Sequence, residues 1–370
     1  MAGLRSVPIN WRGPHVTFGV PRRGCGTASE AWRRGVEFHG AGTDWTCDPA
    51  VQQAAGEIWK KSGNSPFNRY IFGQVWPDQA AAKAHDLIIA WRRARPDLVI
   101  AECSDLGAHL AAKVLDLPVF AADNGLGPVL LELWDTDIAP ALTSLYKRHG
   151  QDTPVLPAML TPAPVPWFYR TPPPPPAARA VRRTVAEFRT VLPERLDRSP
   201  SSRPLVYVSL GTLATAMPGL RAVVGSVYRE ILAALSGIDC DAIVSAGDLA
   251  QDLPSTDPSI EVVEHVPQPV LLRRVDLFVT HAGRASLLDA VQGITPVLGM
   301  GVLADQPDNA AVFARRGLGR ALELTARRGE IADAVTAVLG DSHYNDAMTA
   351  ANAELPQLPP LDITELRDRV

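Results

Sequence analysis

A histidine, a glycine, a hydroxyl and a carboxylate crowd one short stretch of this chain. It runs Thr280-His281-Ala282-Gly283-Arg284-Ala285-Ser286, with Asp289 just beyond. The apolar run before it reads as a strand and the run after it as a helix, so the group falls at a helix start. Backbone N–H groups there lack intrahelical partners and favour an anion. Phosphate is the anion that suits His281, Gly283 and Ser286, and Asp289 could accept ribose hydroxyls. The plainer alternatives are a buried, satisfied histidine and a carboxylate that only complements the helix dipole. Further on, Asp305 and Gln306 offer acceptors and donors for sugar hydroxyls. Asn309 reads as a cap for the next helix.

Two other loops could serve the same ligand. Ser209-Leu210-Gly211-Thr212 ends a strand with small residues and hydroxyls, which suits phosphate as well as a tight turn. Val266-Pro267-Gln268 follows another strand, where proline leaves neighbouring backbone groups outside a ladder and able to read a flat base. Gly299-Met300-Gly301-Val302-Leu303-Ala304 fits a dinucleotide fingerprint in letters only. That motif requires the helix to open within it, and Asp305-Gln306-Pro307-Asp308 intervene. Serine-hydrolase, zinc-protease, P-loop and C-x-x-C patterns are absent.

These loops need strands and helices to hold them. In the second half the strands are Leu205–Leu210, Asp241–Ser245, Ile260–Val263, Leu277–Thr280 and Thr295–Leu298. Helices are expected at 221–235, from 285, at 309–316 and at 332–339. Short apolar strands between helices predict a parallel sheet covered on both faces, with ligands at its carboxyl edge. The first half repeats the pattern less regularly, with strands at 16–20, 98–101 and 119–121 and helices at 78–93 and 108–115. The boundaries expected are 1–190, a linker at 191–203, a second domain at 204–350, and a tail at 351–370 ending in an amphipathic helix that returns to the first domain. The segment 154–176 is proline-rich and reads as a long irregular connection. Its Trp167, Phe168 and Tyr169 are expected over an acceptor site, or else as a packed loop cluster.

Composition narrows the class. The chain has 370 residues, 46% hydrophobic and 21% charged, with formal net charge −4 and no long blocks of one sign. That gives no electrostatic case for nucleic acid. No apolar run approaches the roughly 20 residues of a membrane span. Without metal-like cysteine spacing or a signal-peptide pattern, the expectation is a cytoplasmic protein with reduced thiols and no bound metal or cofactor.

Taken together, the second half resembles the nucleotide-sugar glycosyltransferases of the two-Rossmann (GT-B) type, above all bacterial enzymes that decorate macrolides, enediynes and other secondary metabolites. The matching stretches are Val206–Thr212, Glu264–Gln268, Leu277–Gly283, Asp305–Ala310 and Gly317–Gly319, in that order and spacing. The resemblance implies an α/β fold of two Rossmann-like domains whose parallel sheets face each other across a cleft. It implies an inverting, metal-independent transfer from a UDP- or TDP-linked sugar to a hydroxyl of a small apolar aglycone. By the same resemblance Val266, Gln268 and Asp289 meet the nucleoside. Thr212, His281, Gly283 and Ser286 meet the diphosphate, and Asp305 and Gln306 the sugar. A homodimer is left open.

One departure concerns the catalytic base. Trp11–Phe18 resembles the end of the family's first helix and the start of its second strand, and only residues 1–10 precede it. A first strand and the Gly-His loop that supplies the base are therefore expected to be missing. His39, Glu102 and Asp105 are the remaining candidates, the two carboxylates reading also as the partner of an absent histidine. The competing functions are a catalytically weak nucleotide-sugar-binding or auxiliary protein and a nucleotide-sugar epimerase.

Overall fold

The computed structural model describes residues 17–20, 37–43, 45–169, 178–183, 192, 203–211, 217–253 and 257–368. Expectations that fall on residues 1–16, on Thr212, on Pro172–Pro176 and on most of the 191–203 linker lie outside them. Contacts divide the chain into two units, residues 1–185 with 358–370, and residues 186–357.

In the first unit, β1 (Thr17–Val20) and β2 (Glu37–Gly40) form a parallel pair. Helices α1 (Pro49–Ser62), α2 (Asn64–Tyr70) and α3 (Trp76–Arg93) follow. Asp48 caps α1 by accepting from Ala50 and Val51 N–H, and Pro49 opens the helix with the φ it needs. One π-helical turn, Ile71–Val75, joins α2 to α3. Then come β3 (Val99–Glu102), α4 (Leu106–Val114), β4 (Val119–Ala122), α5 (Gly127–Leu133), α6 (Ala139–Arg148), β5 (Ala158–Thr161), the single turn α7 (Val165–Phe168) and β6 (Arg179–Ala180). Strands β3-β4-β5-β6 lie in that order, all parallel.

The proline-rich segment departs from its reading. Pro157 and Pro162 bracket β5 and leave its interior free to pair, while Pro166 sits in the first turn of α7. Trp167, Phe168 and Tyr169 are buried, and the Tyr169 hydroxyl donates to Asp123 Oδ2 at 2.7 Å. The aromatic trio therefore packs inward, as the packed-cluster alternative has it. The helices at 49–70 and 127–148 escaped the sequence reading.

The second unit holds β7 (Leu205–Ser209), α8 (Pro218–Leu235), β8 (Asp241–Ser245), β9 (Ile260–Val263), the turn α9 (Gln268–Leu271), β10 (Leu277–Thr280), α10 (Arg284–Gly293), β11 (Val297–Gly299), α11 (Gln306–Arg315), β12 (Gly319–Ala321), α12 (Arg328–Leu339) and α13 (His343–Glu354). Its six strands are parallel, in the order β12-β11-β10-β7-β8-β9. Numbered from β7, that is 6-5-4-1-2-3, the doubly wound order in which the direction of winding reverses between the first and fourth strands. Here the reversal lies between β7 and β10, which pair in register from Leu277↔Val206 to Thr280↔Ser209. Both strands are continuous apolar runs because helices cover both faces. Tyr207 stacks on Phe278 across the pair, with centroids 4.8 Å apart.

The last helix, α14 (Ile363–Asp368), belongs to the first unit. Leu366 packs with Phe120 and Leu160, and Arg182 bridges to Pro360.

Candidate functional site

The winding reversal brings two loops together. After β7 the chain turns through Leu210-Gly211, and after β10 through His281-Ala282-Gly283. Leu210 N–H donates to the Tyr228 hydroxyl at 2.9 Å, and that hydroxyl donates to the Ser245 carbonyl at 2.9 Å, so α8 and β8 fix the first loop. The second loop turns on Ala282, at φ 61, whose N–H donates to Thr280 Oγ1 at 3.2 Å. Then α10 begins at Gly283 with no side chain capping it, which leaves the first N–H groups directed past the helix end.

His281 stands between the two loops. A Cβ added at Gly283 would come within 2.5 Å of its Nε2, and one at Gly211 within 2.9 Å. Both glycines are there because the ring leaves no room for a side chain. Burial pushes the His281 pKa down to about 4, against a smaller upward pull from the Ser209 backbone. Its buried Nδ1 makes no hydrogen bond of good geometry. At neutral pH the ring is uncharged and acts as a hydrogen-bonding group, not as a cation. Arg284, at the first position of α10, is a charged residue only 2% exposed. The sequence reading passed over it, since an arginine after a glycine reads as solvated.

Three residues chosen on separate grounds meet beside this loop. Gln268, at the start of α9, donates through Nε2 to Ser286 Oγ at 3.3 Å and to Asp289 Oδ2 at 3.0 Å. Asp289 is 3% exposed and Ser286 half-buried. Val266 precedes Gln268 and accepts its backbone N–H at 2.9 Å.

Asp305 and Gln306 lie at the start of α11, with Asp305 as its N-cap residue. The Gln306 side-chain carbonyl accepts from Val302 and Leu303 N–H, both at 3.1 Å, so it shapes its own loop and leaves its amide nitrogen for other partners. Asn309 is not a cap. It lies inside α11, where its amide donates to the Ala282 carbonyl at 3.2 Å and to Asp305 Oδ2. It thereby ties the Asp305 loop to the His281 loop, a link that no local pattern announces. Gly299 and Gly301 let the α11 backbone approach β11, which explains the glycine pair that imitates a dinucleotide fingerprint.

In the first unit, Glu102 ends β3 and Asp105 is the N-cap of α4. Asp105 accepts from Ala108 N–H at 3.1 Å and forms an ion pair with Lys83 of α3. His39 lies on β2, paired with Gly19.

Two parallel α/β units, the second doubly wound with its loops gathered at the reversal, agree with the fold class expected of GT-B proteins. The comparisons carry this further. Residues 190–362 match the family model described as UDP-glucoronosyl and UDP-glucosyl transferase. Zeaxanthin glucosyltransferase of Pseudescherichia vulneris is 32% identical over 163 residues, 44% of this chain and 39% of that protein. Oleandomycin glycosyltransferase of Streptomyces antibioticus is 27% identical over 165 residues, 44% of this chain and 37% of that protein. The matches thus span about two fifths of these relatives' length. A solved spinosyn rhamnosyltransferase complexed with thymidine diphosphate superposes with TM-score 0.73 at 17% identity, covering 93% of this chain and 89% of that one. The chain therefore resembles nucleotide-sugar glycosyltransferases in the sequence of its second half and in its whole fold. Among the described residues, no helix is long and apolar enough to cross a membrane.

Proposed function

We propose that this chain transfers a sugar from a UDP- or TDP-linked donor to a hydroxyl of a small apolar natural product, with inversion and without a metal ion. The observation that carries the reading is the meeting of the His281 loop with the Gly211 loop at the winding reversal. There an uncapped helix start and a neutral imidazole face one point.

The chemistry follows from the leaving group. As the bond to the sugar breaks, negative charge grows on the diphosphate. Donors already aimed at it lower the barrier because they need no reorganisation. The N–H groups at the start of α10, the Ser286 hydroxyl and His281 supply such donors, with Thr212 added by the sequence resemblance alone, and they take the place a cation would otherwise fill. The nucleoside would lie along Val266 and Gln268. Asp289 is closed by Gln268, so ribose hydroxyls reach it by taking the place of that amide. The sugar hydroxyls fall to the Asp305 carboxylate and the Gln306 amide nitrogen. Attack from the side opposite the diphosphate inverts the anomeric carbon. Relatives named for zeaxanthin, oleandomycin and spinosyn support a small natural product as acceptor.

Titration calorimetry with UDP and TDP tests the donor site directly. Saturable binding of at least one nucleotide is expected, with a matching rise in melting temperature. Absence of heat and of thermal protection with both would refute the reading.

A further inference from the structure

We propose that Asn309 is a positioning residue that couples the sugar end of the donor site to its diphosphate end. The proposal rests on the transferase reading above and concerns the second unit alone.

Asn309 lies one turn into α11 and is 3% exposed. Its side-chain amide has two hydrogens to give, and acceptors from two different loops take them. One is the Ala282 carbonyl, at 3.2 Å, in the loop after β10. The other is Asp305 Oδ2, in the loop after β11. Asp305 is only 9% exposed, so it meets a ligand in an orientation its neighbours set. The first loop carries His281 and the uncapped start of α10, and the second carries Asp305 and Gln306. One buried amide thus stands between the groups assigned to the diphosphate and those assigned to the sugar.

The loops it joins have no slack. Ala282 is held at φ 61, a conformation that a Cβ makes costly. Its N–H donates to Thr280 Oγ1 and its carbonyl accepts from Asn309, so the turn is pinned on both sides. A Cβ added at Gly299 would lie 2.7 Å from the Ala310 Cβ and 3.5 Å from the Ala282 Cβ. One added at Gly301 would lie 2.4 Å from the Pro307 nitrogen. The end of β11, the start of α11 and the Ala282 turn are therefore in direct contact, and a shift in one is passed to the others.

The consequence is a coupling between two ends of one ligand. Sugar hydroxyls on Asp305 fix its carboxylate, and with it the Asn309 amide. Through the Ala282 carbonyl they steady the turn that aims the first N–H groups of α10. Linkage makes the effect mutual, so an anion at that turn steadies Asp305 as well. The intact donor is held more tightly than its two ends would be if they bound independently. The nucleotide left after transfer, without its sugar, is held less firmly at its diphosphate.

The test compares the full chain with Asn309→Ala, Asp305→Ala and the double replacement. Calorimetry gives Kd for UDP, TDP, UDP-glucose, TDP-glucose and TDP-rhamnose, and circular dichroism melts verify folding. Asp305→Ala should weaken the nucleotide sugars and spare bare nucleotides. Asn309→Ala should weaken bare nucleotides about threefold or more, and the nucleotide sugars by a further factor of about threefold or more. In the double variant that further factor should vanish, because the carboxylate through which the amide reaches the sugar is gone. A residue that only packs would show no such dependence on Asp305. NMR of the Asn309 side-chain amide in the wild-type chain reads the same link without a variant, and decides alone should Asn309→Ala fail to fold. Its signal should shift differently with a bare nucleotide and with the matching nucleotide sugar. The proposal is overturned if folded Asn309→Ala keeps every Kd within twofold of wild type, if its effect on nucleotide sugars is the same with and without Asp305, or if the amide signal does not distinguish the two kinds of ligand. Absence of UDP and TDP binding by the wild-type chain would instead refute the transferase reading.

Discussion

Replacing His281 by alanine measures what the loop after β10 does for a nucleotide. The ring is held between Gly211 and Gly283, and its low pKa keeps it uncharged between pH 6 and 8. It therefore offers a diphosphate one hydrogen bond to a charged acceptor and no net charge. Such a bond contributes about 1.5–3 kcal/mol. At about 1.4 kcal/mol per tenfold, His281→Ala should weaken UDP or TDP binding by roughly 10- to 100-fold. A cationic histidine would give a larger, salt-dependent loss. Gly283→Ala provides a companion test, since it retains the imidazole but sets a Cβ 2.5 Å from Nε2 and so displaces the ring. It should weaken binding to a similar degree. Calorimetry at pH 7.5, with circular dichroism melts to verify folding, reads both variants. A Kd for His281→Ala within twofold of wild type, in a folded protein, would refute the reasoning and make the histidine a packing group.

Two stability predictions follow from backbone and burial. Ile294 ends α10 in the left-handed region at φ 57, where a β-branched residue is strained, and it is 40% exposed. Ile294→Gly should raise stability by about 1 kcal/mol in urea melts, and a loss would mean that its buried atoms outweigh the strain. For His109, whose folded pKa lies near 4 against an ordinary 6.5, stability is fully present above pH 6.5 and is lost as pH falls toward 4. At about 1.36 kcal/mol per pH unit this difference amounts to roughly 3 kcal/mol. His109→Leu should remove that part of the slope, and equal slopes for the two proteins would show that the ring finds a partner for its proton.

Much of the second unit is legible because its strands are apolar runs that stop at glycine or a polar residue. Asp241–Ser245, Ile260–Val263 and Leu277–Thr280 end in the structure where their sequences end. The loops that carry the candidate site follow from those endings. The bonds between loops are less legible. Gln268 meets Asp289 only because the α9 turn lies beside α10, and Asn309 joins two loops only because Asp305, not Asn309, opens α11. In the first unit, β5 was hidden by prolines that frame a strand without interrupting it. Glu102 and Asp105 are legible at the end of one strand, but Lys83 and Asn124 reach them from α3 and the loop after β4, and no spacing within one element reveals that.

The return of α14 to the first unit bears on how the molecule is made. Phe120 and Leu160 lie under Leu366, so the first unit closes part of its core with residues made after the whole second unit. The second unit is an insertion in the first, and it has emerged before the first can be completed. A nascent chain passing residue 357 would hold an intact second unit and an unsealed first one. Shortening the chain before Leu361 should therefore expose the apolar surface around Phe120 while leaving the β7–β12 sheet intact.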